Sequence, residues 1–167
     1  MKLIIALLSL AIAAPALAHG PTPRKTDETV TVKAAPDAVW AKVAEPCGIA
    51  KWHPEVKACE VVDDKTSNIT LKNGGKLQQQ IDELDVAGKT INYRLGGEIA
   101  LEALPVSSLT GRIKVEADGS NSKVSWMARF YRFDTGNEPP EGQDDETAQN
   151  AVDGFIKAGL AGLESSK

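Results

Sequence analysis

Aromatic side chains are scarce in this 167-residue chain: three Trp, two Tyr and three Phe, 5% of all residues. A core of ordinary size must then be mostly aliphatic, and any place where several aromatics meet stands out. Histidine and cysteine are scarcer still, two of each, too few for a closed four-ligand zinc site of the usual His and Cys kind. Basic charge is not in surplus. Lys and Arg number 19 against 23 Asp and Glu, a net charge of −4, so no phosphate-binding face is expected and nucleic acid is excluded as a partner. Walker loop, dinucleotide fingerprint, nucleophile elbow and zinc-protease helix are all missing, hence no cofactor is expected. Gly74-Gly75 and Gly96-Gly97 each sit between two strand patterns and read as hairpin turns, not phosphate loops.

Long apolar runs are missing too, except at the start. Residues 3–14 are apolar, follow Met1-Lys2, and lead into Ala16-Leu17-Ala18, a small-x-small pattern suited to signal peptidase. The run is too short for a membrane span and reads as an export signal, residues 1–18, cleaved after Ala18. Removing the first 18 of 167 residues leaves 149, a length suited to one domain. Lys2 goes with them, so 18 basic and 23 acidic residues remain, a net charge of −5. The expected location is a bacterial periplasm, with no membrane anchor after cleavage.

Cys47 and Cys59 both fall in the mature chain. In an oxidising compartment such a pair reads most simply as a disulfide. A metal site would want more ligands, and no Cys-x-x-Cys spacing exists to tune a redox couple. His19, at the new amino terminus, offers an imidazole and an α-amine that could chelate Cu(II), the one metal reading the sequence carries.

Residues 19–27 are polar, contain prolines and lack periodicity, so a flexible leader is expected before a single domain over 28–165. A strand is predicted at 28–33, a helix from Pro36 to before Pro46, and a short helical turn at 48–51. Strand patterns follow at 56–62, 67–71, 76–84, 90–95, 106–117 and 123–133, separated by Asp63-Asp64, Asn73-Gly74-Gly75, Ala87-Gly88, Gly96-Gly97 and Asp118-Gly119-Ser120-Asn121. Residues 138–146 read as a solvated acidic loop. From 144 to 163, apolar residues recur every three or four positions, a long helix with one apolar stripe. Glycines 154, 159 and 162 weaken that helix, so packing must hold it. An antiparallel sheet with one long helix is an α+β layer solution.

Several motifs occur in a telling order: Pro36-Asp37-Ala38-Val39-Trp40, Trp52-His53-Pro54-Glu55-Val56, Tyr93-Arg94-Leu95, Leu104-Pro105-Val106, Val124-Ser125-Trp126 with Phe130, and Gly159-Leu160-Ala161-Gly162-Leu163. The set resembles the START-like (SRPBCC) superfamily of polyketide cyclases, lipid-transfer proteins and pollen allergens. The resemblance implies a helix-grip fold: a curved antiparallel sheet of about seven strands wrapped on a long C-terminal helix, with short helices after the first strand. Joined to the export signal, the set is similar to the MxaD-type periplasmic accessory family of methanol oxidation. That implies methanol dehydrogenase and its acceptor cytochrome c as partners and a non-catalytic role. The chain departs from related sequences at Ser107-Ser108-Leu109, where an aromatic is common.

The helix-grip implies a cavity between sheet and helix. Strand alternation turns Val124, Trp126, Ala128 and Phe130 to one face, and Ile91, Tyr93 and Leu95 inward, unless a bulge intervenes. Candidate pocket residues are Tyr93, Leu109, Trp126 and Phe130 from the strands, Phe155 from the helix, and Trp52 with His53 near the mouth. Such a pocket would carry a small apolar or quinone-like ligand; with so few aromatics in the chain, the simpler reading of the same side chains is core. Pro54 restricts His53 to an extended conformation, placing it at the rim, where it shapes the loop after the first helix. A cyclase or hydrolase reading would rest on His53 and Tyr93, but no fixed spacing supplies an orienting partner.

Overall fold

The computed structural model describes residues 20–166. The export signal, its cleavage point and His19 lie outside them. Strand β1 (Arg24–Val32) is followed by helices α1 (Pro36–Ala44) and α2 (Ile49–Trp52). A meander comes next: β2 (Val56–Val61), β3 (Thr66–Leu71), β4 (Lys76–Asp85), β5 (Thr90–Gly96), β6 (Val106–Asp118) and β7 (Asn121–Arg132). Helix α3 (Asp145–Ser165) ends the described chain. One antiparallel seven-stranded sheet results, in the order β1-β7-β6-β5-β4-β3-β2. This is the expected α+β helix-grip architecture.

Local chemistry explains the hairpins. Asp63 Oδ1 accepts from the backbone N–H of Lys65 and Thr66, both at 2.8 Å. Asn73 Oδ1 accepts from Gly75 N–H at 2.9 Å, and Asp85 Oδ1 from Gly88 N–H at 2.8 Å. In each case a short carboxylate or amide closes the turn on its own backbone. The β6–β7 turn needs φ +62° at residue 119, which Gly119 adopts freely.

Strand β1 starts at Arg24, so the expected leader over 19–27 is too long by four residues. Arg24 to Asp27 pair with Phe130 to Met127 on β7, which extends far enough to offer them an edge. Their polarity hid the strand. Thr26 is buried through a network: its Oγ1 donates to Asp153 on α3 at 2.5 Å and accepts from Gln149 Nε2 at 3.0 Å. Arg24 Nε donates to Gln149 Oε1 at 3.0 Å. Burial of polar groups is tolerated when they are satisfied, and such a strand carries no apolar alternation to read.

Helix α3 is capped by Asp144, whose side chain accepts from Thr147 N–H at 2.7 Å. Its stripe of Ala148, Val152, Ile156, Leu160 and Leu163 is 3% exposed or less and lies on the inner face of β1 and β7. Val124, Trp126, Ala128 and Phe130 are 2% exposed or less, as alternation predicted, and Arg129 is exposed. A bulge at Ser107 interrupts the β6–β7 register, so Ser107 and Ser108 both face solvent and Leu109 returns inward.

Candidate functional site

A cavity of about 270 Å³ lies between the inner face of β2 to β6 and the α1–α2 segment, with Trp126 and Phe155 closing one side. Burial along the strands locates its mouth. Ile69 and Leu77 are buried, their inward neighbours Ser67 and Gln79 are half-buried, and Val61 and Leu84 are exposed at 50% and 46%. The mouth therefore lies at the β2–β3 turn, with the α1–α2 loop residues Glu45 to Gly48 also on the wall. Leu84 belongs to this inward row because a bulge at Asp82 on β4 shifts the alternation, setting Leu84 opposite Ile91.

Cys47 and Cys59 are bonded, with Cα atoms 5.4 Å apart. The bridge ties the α1–α2 loop to β2, an edge strand whose sheet neighbour is β3 alone. Cys47 has φ +57°, a conformation an L residue keeps only where its surroundings restrain it, and the bridge is such a restraint.

Four of the eight aromatic residues, Trp52, Tyr93, Trp126 and Phe155, meet on the cavity wall. The Trp126 ring stands edge-on to both Trp52 and Phe155, with centroids 6.0 Å away in each case. Tyr93 reaches this group by an unusual path. Its cross-strand partner on β6 is Gly111, where an added Cβ would overlap the Tyr93 ring. With no side chain there, the ring lies across β6 and its hydroxyl accepts from Trp126 Nε1 on β7 at 2.8 Å. Burial pushes the Tyr93 pKa up, so the phenol is neutral and keeps its proton.

His53 is not at the rim. It is 3% exposed, stacks on Phe155 with centroids 4.1 Å apart, and is edge-on to Trp126. Glu55 N–H donates to His53 Nδ1 at 3.2 Å, so the proton sits on Nε2, which donates to the Phe155 carbonyl at 3.0 Å. Both ring nitrogens are spent on backbone partners. Burial lowers the pKa to about 4, partly opposed by the Phe155 bond. The loop sinks this far because α3 offers glycine beneath it. A Cβ at Gly159 would come 2.5 Å from Trp126 Cζ3 and 2.7 Å from His53 Cδ2, and one at Gly162 would collide with the Trp52 carbonyl. Helix α3 thus bears against the Trp52-His53-Pro54 loop through two glycines.

Of the seven candidate residues, Trp52, Tyr93, Trp126 and Phe155 line the cavity and His53, Leu109 and Phe130 do not. Leu109 and Phe130 face each other across β6 and β7, 6% and 2% exposed, beyond Gly111 and outside the cavity. They are core. Sequence reasoning missed Ser67 and Gln79, cross-strand partners whose side chains reach the cavity. The period-two row of Leu77, Gln79 and Ile81 carried the signal, but three consecutive glutamines obscured it. Lys65 is the one cation among the lining residues and sits at the exposed rim with Glu45, Asp63 and Asp64. Among the described residues no group of three or more His, Cys, Asp or Glu is placed to hold a metal.

The family described as polyketide cyclase / dehydrase and lipid transport matches residues 23–166. No curated protein matches the chain. Solved structures share the fold at low identity. The ZhuI aromatase/cyclase from Streptomyces sp. R1128 is 18% identical over 86% of this chain and 92% of its own, with a TM-score of 0.72. The protein XoxI from Bacillus cereus is 20% identical over 84% and 92%, with a TM-score of 0.70. An uncharacterized protein from Bacillus thuringiensis is 17% identical over 84% and 96%, with a TM-score of 0.71.

Proposed function

The chain belongs to the polyketide cyclase / dehydrase and lipid transport family, and from that premise we propose that it is an exported, non-catalytic binding protein that carries a small neutral apolar ligand in its cavity. The observation that carries this reading is the cavity itself: about 270 Å³, walled by Trp52, Tyr93, Trp126 and Phe155 and by aliphatic strand residues, with charge confined to the mouth. Ligand pockets run from about 300 Å³ upward, so the space suits a small molecule rather than a long lipid. An anion inside would find no buried counter-charge and would pay its desolvation unrelieved. Native mass spectrometry of the mature protein with indole, tetralin and 1-tetralone tests the reading. A one-to-one complex, accompanied by a change in emission from Trp52 and Trp126, is expected. Gln79→Trp, which fills the mouth, should abolish it. Failure of all three compounds to bind rejects the carrier reading.

A second reading rests on the ordered motif set joined to the export signal: assistance, in the periplasm, to methanol dehydrogenase and its cytochrome c. The disulfide supports an oxidising location. The route would be improved encounter or enzyme conformation without new chemistry. Added to a matched dehydrogenase and cytochrome, the protein should raise the rate of cytochrome reduction, and no change in rate rejects this role.

A further inference from the structure

One buried polar group in the cavity wall has capacity left over. The Tyr93 hydroxyl has one proton to give and lone pairs to accept with. Trp126 Nε1 donates to it, which uses acceptor capacity only. Among the described residues its own proton meets no acceptor. Tyr93 is 6% exposed and Trp126 1%, and both face the cavity, so the O–H has the cavity to donate into. A buried donor left unmade keeps its full desolvation penalty. With no side chain at residue 111 this ring can lie flat, and an indole N–H backs its oxygen, which sets a polarised donor in the wall of an apolar space. Toward the mouth, the Gln79 amide and the Ser67 hydroxyl make no side-chain hydrogen bond among the described residues, although both lie on inward rows.

Resting on the carrier reading, we propose that the cavity selects a neutral one- or two-ring aromatic carbonyl compound. The carbonyl oxygen accepts from Tyr93 O–H, the rings pack against Trp52, Trp126 and Phe155, and any polar substituent turns toward Ser67 and Gln79. Size supports this class, because an apolar cavity of ~150 Å³ takes one benzene and about 270 Å³ admits a substituted ring or a fused pair. Four aromatics gathered from a chain that has eight favour edge and face contacts with another ring over an aliphatic tail. Carboxylates are disfavoured, since Lys65 is the one lining cation and sits in solvent at the rim.

Calorimetric titration of the mature protein with 1-tetralone, its hydrocarbon counterpart tetralin and the anion 1-naphthoate tests the assignment. Tyr93→Phe should weaken 1-tetralone about tenfold, the value of one net hydrogen bond, and leave tetralin within about twofold. 1-Naphthoate should bind more weakly than both. The wild-type complex gives an independent readout that needs no variant: the carbonyl stretch of bound 1-tetralone should shift to lower frequency than in hexane. Equal binding of ketone and hydrocarbon changes in Tyr93→Phe, or an unshifted carbonyl stretch, overturns the carbonyl assignment and leaves the carrier reading standing. Binding of neither neutral compound removes the carrier reading and this assignment with it.

Discussion

His53 shows how a single side chain ties acid stability to the loop it holds. Its pKa falls from 6.5 to about 4 because the imidazolium would be buried. As pH drops, the unfolded chain takes up the proton first, so the neutral ring's contribution is complete above pH 6.5 and is lost progressively toward pH 4. The shift corresponds to about 3 kcal/mol. Stability measured by denaturant should decline across that window, and His53→Gln, which retains a donor for Phe155 and an acceptor for Glu55, should flatten the decline. An identical slope in both proteins would exclude His53 as its source. The α3 glycines divide in the same local way. Gly154 has nothing within 4 Å of an added Cβ, so Gly154→Ala should stabilise by about 0.5–1 kcal/mol through helix propensity. Gly159→Ala and Gly162→Ala should instead destabilise, since the new methyl meets Trp126, His53 or the Trp52 carbonyl. Thermal midpoints of the three variants moving in one direction would contradict this geometry.

Among the elements, the α1–α2 loop depends most on a covalent tie. Helix α2 has four residues and makes no side-chain cap, and β2 has a sheet partner on one side only. Neither would hold the mouth of the cavity alone. The Cys47–Cys59 bridge closes a loop with a sequence separation of 12, and a loop of that order lowers the unfolded chain's entropy by about 3 kcal/mol at room temperature. The Cys47→Ser, Cys59→Ser double variant should unfold at lower denaturant by a comparable amount and bind tetralin more weakly, because the restrained wall relaxes. An unchanged midpoint would mean that packing of Trp52 against α3 suffices to seat the loop.

For the molecule as a whole, the sheet leaves one end packed and the other open. Phe130, Leu109 and the α3 stripe fill the packed end, while Tyr93 lies flat at the open one and the aromatics there border empty space. A net charge of −4 gives any encounter with a partner a long-range component. If the protein acts between a dehydrogenase and a cytochrome, its stimulation should shrink as salt rises from about 0.01 to 0.3 M, because screening shortens the Debye length from ~30 Å to below ~8 Å. Stimulation that is constant over this range would assign the effect to short-range docking. Initial rates of cytochrome reduction measure it.

Alternation and helical spacing are local properties, and they suffice for every element except the start of β1. The six meander strands, the turns at Asp63, Asn73 and Gly119, the α3 stripe and the inward facing of Trp126 and Tyr93 could all be read directly, because each depends on residues a few positions apart. The motif order carried the helix-grip topology. The start of β1 could not be read, since Thr26 and Arg24 are satisfied by Gln149 and Asp153 more than a hundred residues away. Nor could the sorting of inward aromatics into cavity wall and core. Leu109, Phe130 and Tyr93 share the same alternation, yet the empty position at Gly111 and the bulges at Ser107 and Asp82 determine which of them borders space. The rim position expected for His53 fails for a related reason: its burial depends on glycines in a helix that joins it only when the chain is folded. Periodicity reports which face a side chain takes, whereas cavities and buried polar pairs arise from the shapes of strands and helices distant in sequence, which no local pattern encodes.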